Sequence, residues 1–144
     1  MTHATTVEEI LGGRKILHKS IQGKMDLIEL SNTGVTKEAL LHLAKYCSFS
    51  IQQLSEVLPV NVRTIQRYTP KEHFNRAVSE QILQLAEVAA RGTEVFGDRE
   101  LFLEWMKTPS AALADKKPLS LLNSKFGADM VLDELGRIEH GVFS

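Results

Sequence analysis

Three features of this 144-residue sequence predict an all-α fold. Apolar residues recur three and four apart in one segment after another, the spacing that lines a single face of a helix. Helix-capping side chains (Thr36, Ser50, Asn61, Asp98) stand directly ahead of those segments. No segment reads convincingly as a strand, apart from one short ambiguous run near Leu27. The predicted order is an N-terminal arm (1–35), a helix-turn-helix unit (36–92) and a second small helical unit (93–144).

In the arm, Val7–Leu11 has the length of about one and a half helical turns, stopped by Gly12-Gly13. Met25–Leu30 fits a short strand or a helix equally well, because six residues do not separate the two periods. Ser31–Gly34 reads as a turn.

Thr36 is placed to cap a helix whose buried stripe is Ala39, Leu40, Leu43, Ala44 and Cys47. Ser50 with Gln53 three residues on has the spacing of a capping box, in which each side chain satisfies a free backbone N–H. Ile51, Leu54 and Leu58 then share one face. Leu58 precedes Pro59 and is biased out of the helical region, which closes this helix. After Pro59-Val60, Asn61 is a cap for a further helix that buries Val62, Ile65 and Tyr68. Thr69-Pro70 stops it.

Ser79 is expected to open a longer helix with Ile82, Leu83, Leu85, Ala86, Ala89 and Ala90 inward, ending near Arg91-Gly92. Asp98 caps the next, which carries Leu101, Phe102, Trp105 and Met106 and ends at Thr108-Pro109. Pro118 suits the first position of a short helix through Leu122. Gly127 precedes the last, with Ala128, Val131, Leu132, Leu135 and Ile138 on its apolar face and Gly141 where a left-handed cap would sit.

The helix starting at Asn61 carries the functional signal. With its apolar residues inward, Arg63, Gln66 and Arg67 share the outward face, with Thr64 on the flank. Arginine pairs bidentately with guanine and glutamine with adenine, and guanidinium and hydroxyl groups reach phosphates. A recognition helix offers its N-terminal residues to base edges in the major groove, which assigns DNA contact to Asn61, Arg63, Thr64, Gln66 and Arg67. Such residues also solvate any exposed helix; the preceding helix, the tight turn and the clustered donors favour DNA.

A hydrophobic content of 43% and a charged content of 24% describe an ordinary globular chain. The net charge of -1 is low for a protein that only binds DNA, yet its distribution is uneven. Asn61–Arg76 has a local balance of +3, and Glu94–Ser144 one of -3, which suggests two surfaces with two kinds of partner. No apolar run has membrane-spanning length, and Met1–Thr6 lacks the basic flank and apolar core of a secretory signal. A cytoplasmic protein is expected. The single cysteine, Cys47, fits a reducing compartment and a core position.

Catalytic and metal-binding patterns are not found. The five histidines are scattered, with no i, i+4 pair on a helix and no cysteine cluster. There is no phosphate-cradling glycine loop and no serine in a nucleophile elbow. Glu139-His140 is a poor acid–base couple, since adjacent helical residues point in different directions. Phe102 and Trp105 suit a core anchor better than a ligand pocket. The chain reads as a non-enzyme without metal or cofactor.

With the C-terminal half read, the sequence resembles a known family. The run Val95–Pro109 (VFGDRELFLEWMKTP), the segment Lys117–Leu122 (KPLSLL) and the run Phe126–Val142 (FGADMVLDELGRIEHGV) resemble the toxin-binding domain of Xre-type antitoxins from bacterial RES–Xre toxin–antitoxin pairs. Leu54–Tyr68 is similar to the helix-turn-helix of the same family. The likeness runs from about Thr36 to the C-terminus and is loose before it. Met106 stands where leucine is common, and Asn123-Ser124-Lys125 departs from the usual threonine and acid.

The resemblance implies a division of labour. The helix-turn-helix represses the operon by binding operator DNA, usually as a homodimer. The C-terminal domain (93–144) binds a RES-domain toxin that consumes NAD and blocks its active site. Carried over to toxin contact are Arg137, Glu139, Gly141, Val142 and Phe143. Trp105, Pro109, Leu122, Val131 and Leu135 match motif positions but are scaffold by their apolar character. A helix finishing at Gly141 leaves Val142-Phe143 as an apolar tip ahead of the Ser144 carboxylate, a shape that fits a cleft. The alternative is a stand-alone helix-turn-helix regulator whose C-terminal helices sense a ligand or a protein.

Overall fold

Capping residues set most of the element boundaries. The computed structural model describes residues 6–141. Within them the helices are α1 (Val7–Ile10), α2 (Arg14–Leu17), α3 (Lys24–Thr33), α4 (Lys37–Cys47), α5 (Ile51–Val57), α6 (Val62–Arg67), α7 (Arg76–Phe96), α8 (Arg99–Met106) and α9 (Lys125–Gly141). Two short 3-10 turns, Ala111–Leu113 and Pro118–Leu121, lie between α8 and α9. The described residues contain no strand, only isolated bridges such as Thr36 with His73. No helix among them is long and apolar enough to cross a membrane.

Thr36, Asn61 and Asp98 cap α4, α6 and α8 through their side chains, and Ser50 with Gln53 completes both halves of the capping box on α5. The ambiguous run near Leu27 is helical. Its helix continues through Ser31–Thr33, so the expected turn there is reduced to Gly34. Gly34 has φ +97°, and a Cβ on it would stand 2.5 Å from the Phe74 carbonyl oxygen, so backbone approaches backbone there.

α7 is the axis of the fold. Its 21 residues make it roughly 30 Å long, and α1, α3, α4, α8 and α9 all pack against it. The expected boundaries of this helix are wrong at both ends. Asn75 caps its start, accepting the Val78 N–H at 2.9 Å, and Ser79 lies inside the first turns, fully buried. The Ser79 hydroxyl accepts the Val35 N–H at 2.8 Å and donates to the Phe74 carbonyl, joining three segments. At the other end the helix runs through Gly92 to Phe96, with left-handed Gly97 as its cap. Gly92 does not break the helix. It is the flat spot on which the Phe102 ring lies, and a Cβ there would sit 2.1 Å from that ring.

α8 turns a different edge inward than its spacing suggests. Phe102, Leu103 and Met106 are buried, whereas Leu101 is half exposed. Arg99 ties the start of α8 to the end of α4. It donates to the carbonyls of Tyr46 and Lys45 and to the Ser48 hydroxyl, and it lies over the Tyr46 ring. A guanidinium at a helix C-terminus meets both the free carbonyls and the negative end of the dipole.

α9 begins at Lys125, so Gly127, expected to precede the helix, lies in its first turn. Ser124 accepts the Gly127 N–H at 3.0 Å. Gly127 sits so close to the Pro118–Leu121 turn that a Cβ would stand 1.8 Å from the Leu121 carbonyl oxygen. Ala128, Val131 and Leu135 face inward, with Leu132 and Ile138 half-buried. Gly141 belongs to the helix itself, where a left-handed cap was expected.

Candidate functional site

Two regions carry the predicted site residues, one in the middle of the helical order and one at its end. The first is built on α5 and α6. Leu58 is extended (φ -116°, ψ 147°) and turns the chain, and Asn61 restarts it by accepting the Thr64 N–H at 2.8 Å. Ile65 is the anchor of α6, fully buried; Val62 and Tyr68 are only half-buried, and Tyr68 lies just past the helix as its C-cap.

With Ile65 inward, Arg63, Gln66 and Arg67 are exposed and Thr64 sits half-buried on the flank, as the spacing predicts. Neither arginine pairs with another described residue, so both forks are available to a ligand. The Asn61 carbonyl oxygen is engaged as a cap, which leaves its amide N–H groups for any outside contact.

A strap holds α6 in place, and sequence reasoning missed it. Residues 69–75 run from the end of α6 back across the start of α4. The carbonyls of Glu72 and Pro70 accept the N–H groups of Lys37 and Glu38, two of the orphan donors of that helix end. The Phe74 N–H donates to Val35, and His73 bonds the Gly34 carbonyl through Nδ1 at 2.6 Å. Tyr68 and Phe74 stack with ring centroids 4.8 Å apart. Lys37 then reaches across to donate to the carbonyls of Tyr68 (2.8 Å) and Gln66 (3.3 Å), capping the C-terminus of α6. In the sequence Lys37 is indistinguishable from any surface lysine.

The second region is the C-terminal half of α9 against α7. Arg137 is exposed and donates through Nε to Glu134 at 2.7 Å, one turn back. Glu139, assigned to toxin contact by the resemblance, is held by Arg91 of α7 in a two-pronged pair of 2.5 and 3.1 Å. Arg91 also bonds Glu94 at 2.6 Å. The guanidinium beside it holds the Glu139 carboxyl below its ordinary range, and Glu139 in turn raises the Arg91 pKa. His140 Nε2 lies 3.1 Å from Glu139, so these adjacent side chains do converge, contrary to expectation. Gly141 is exposed at the helix end. Val142, Phe143 and Ser144 lie outside the described residues.

The motif residues expected to be scaffold mostly are. Leu122, Val131 and Leu135 are buried and Trp105 half-buried, tilted against Phe96 and Phe102; Pro109 is exposed. Phe102 and Trp105 therefore pack the α7–α8 junction. Among the described residues, no group of three or more His, Cys, Asp or Glu side chains is placed to hold a metal. Cys47 is buried, and burial pushes its thiol up to about 12.

Comparison with known proteins matches both regions. Residues 26–87 match the family described as the antitoxin Xre-like helix-turn-helix domain. Residues 91–141 match the antitoxin Xre/MbcA/ParS C-terminal toxin-binding domain. An Antitoxin Xre of Yersinia enterocolitica (serotype O:8, biotype 1B) is 40% identical over 79 residues, covering 54% of this chain and 49% of that protein. The match thus spans about half the length of that relative. An Antitoxin Xre of Photorhabdus laumondii subsp. laumondii is 27% identical over 115 residues, covering 78% of each chain. A helix-turn-helix of the Xre-like type, joined through α7 to a region of the Xre/MbcA/ParS toxin-binding type, gives the chain the two domains of an Xre-family antitoxin.

Proposed function

We propose that this chain neutralises a cognate RES-domain toxin that consumes NAD, and represses its own operon through α6. In this reading it acts in the cytoplasm as a homodimer within the toxin–antitoxin complex and contributes no chemistry of its own. The observation that carries the reading is the pairing of an exposed Arg63–Arg67 face, without partners among the described residues, with a C-terminal region of toxin-binding type.

Neutralisation is steric and electrostatic. A cleft that binds the pyrophosphate of NAD is concave and electropositive. The residues after Gly141 offer it an apolar plug, Val142-Phe143. Arg137 faces the rim. Glu139 serves the plug from behind: its pair with Arg91 sets the direction in which α9 ends. Handing Glu139 to the toxin would strip Arg91 of its two-pronged partner, so the positioning role fits the geometry better than direct contact.

The test is co-expression with the product of the adjacent reading frame. A stable complex, and NAD turnover by the isolated partner that this chain suppresses, are expected. Deleting residues 141–144 is expected to restore NAD turnover even where a complex persists. Full inhibition by the truncated chain would defeat the plug, and a neighbour that neither binds nor consumes NAD would defeat the reading.

A further inference from the structure

α9 presents a second, unspent face. Phe126, Met130, Asp133, Arg137 and His140 follow one another at i, i+4, i+7, i+11 and i+14, a single row along the outer side of the helix. The opposite side, Ala128, Val131 and Leu135, is buried. Phe126 is 84% exposed, more than any other large apolar side chain among the described residues, and Met130 one turn on is 44% exposed. Neither can swing inward. Gly127 is pinned against the Leu121 carbonyl, and Ser124 caps the Gly127 N–H, so the start of the helix is fixed with Phe126 outward.

From this row we infer a docking surface for the toxin, with Phe126 and Met130 as its apolar anchor and Arg137 as its polar end. The inference rests on the toxin-neutralising reading above and adds where the toxin grips, apart from the tip that plugs it. The row lies within residues 91–141, the portion matching a toxin-binding domain, and the opposite face of α9 is committed to the protein's own core. A rigid aromatic one turn from a methionine is the composition of an interface anchor. Arg137 binds Glu134 only through Nε, so its two terminal amino groups remain for a carboxylate on the partner. The toxin is thereby expected to offer an apolar socket with an acidic residue about two to three helical turns away along the row.

A second copy of the chain fits this row less well. A two-fold axis along α9 runs the rows parallel and sets Arg137 against Arg137; an axis across α9 runs them antiparallel, which sets Phe126 of one copy against the Arg137–His140 end of the other. Apolar surface then meets charge at both ends.

The experiment uses the full-length chain and the product of the adjacent reading frame. Phe126→Ala and Phe126→Ala/Met130→Ala are compared with the wild type and with Leu41→Ala, an exposed leucine on α4, as control. Affinity is measured by calorimetry, folding by thermal melts, and the mass of the free chain by light scattering. Phe126→Ala is expected to raise the Kd roughly 30-fold, about 2 kcal/mol, with the melt unchanged, and Leu41→Ala to change neither affinity nor melt. Arg137→Ala is expected to weaken binding as well, with Arg137→Lys recovering only part of the loss. Wild-type affinity in the double variant overturns this surface and leaves the antitoxin reading standing. No binding by the wild type overturns both. Dissociation of a free-chain dimer by Phe126→Ala, at unchanged toxin affinity, assigns the row to a second copy and overturns the proposal.

Discussion

Arg63 and Arg67 illustrate how much one side chain's surroundings decide. Both are exposed on α6 and neither has a partner among the described residues, so nothing competes with a nucleic acid for them. Replacing either by alanine is expected to weaken operator binding by about 1–3 kcal/mol where it contacts a base. A phosphate contact would instead flatten the salt dependence and leave sequence preference alone. Undiminished binding by a folded double variant, in gel shift at two salt concentrations, rules out α6 as the reading helix. Two glycines of α9 make a matched pair at the same scale. A methyl on Gly127 collides with the Leu121 carbonyl, whereas Gly136 has nothing within 4 Å of the same position. Gly127→Ala is expected to cost about 1–3 kcal/mol through overpacking. Gly136→Ala is expected to gain about 0.5–1 kcal/mol from helix propensity. Denaturant melts with equal midpoints for the two variants would contradict the close approach.

Elements here are oriented by links that cross between them. α6 has only six residues, too short to hold its own shape in water, and depends on its Asn61 cap, the Lys37 ammonium at its far end and the Tyr68–Phe74 stack. The end of α9 is governed by the Arg91–Glu139 pair, whose pH dependence has a defined sign. Arg91 depresses the Glu139 pKa below its ordinary 4.5, so the folded state favours the carboxylate. The contribution is complete above that ordinary value and is lost as pH falls through the lower folded one. The difference in melting temperature between wild type and Glu139→Gln should therefore be constant near neutrality and close in acid. A gap that widens on acidification would show that the pair does not act as described. Exchanging the charges, Arg91→Glu with Glu139→Arg, should restore what either single change removes.

For the whole molecule, α7 runs across the boundary between the two matched regions. The matched helix-turn-helix region ends at residue 87 and the toxin-binding region begins at 91, both within this one continuous helix. Its stripe of Ile82, Leu85, Ala86 and Ala89 is covered by elements from both sides, and Arg99 fastens α8 to the end of α4. A fragment ending at Gly92 loses α8 and α9 and uncovers much of that stripe. It is expected to melt at lower temperature and with poor cooperativity, and to lose operator affinity for want of a folded frame, although every predicted DNA contact remains in it. A cooperative melt and undiminished operator binding by that fragment would show the halves to be independent.

What the sequence determined by itself is whatever short-range chemistry decides. A capping side chain and the N–H it satisfies lie two or three residues apart, so Thr36, Ser50, Asn61 and Asp98 announce their helices before any packing is known. The outward set Arg63, Gln66 and Arg67 follows from periodicity once Ile65 points inward. Tertiary structure decided whatever depends on a distant neighbour. Met25–Leu30 became helix because α7 offers α3 a surface to cover, and Leu103 displaced Leu101 because periodicity cannot say which edge of a stripe meets the core. Gly92 and Gly127 look like helix breaks in one dimension, yet each is a place where a ring or a carbonyl comes too close for a side chain. Lys37 and Arg91 acquire their roles from carbonyls and a carboxylate 29 to 48 residues away along the chain, a separation over which no sequence period carries information.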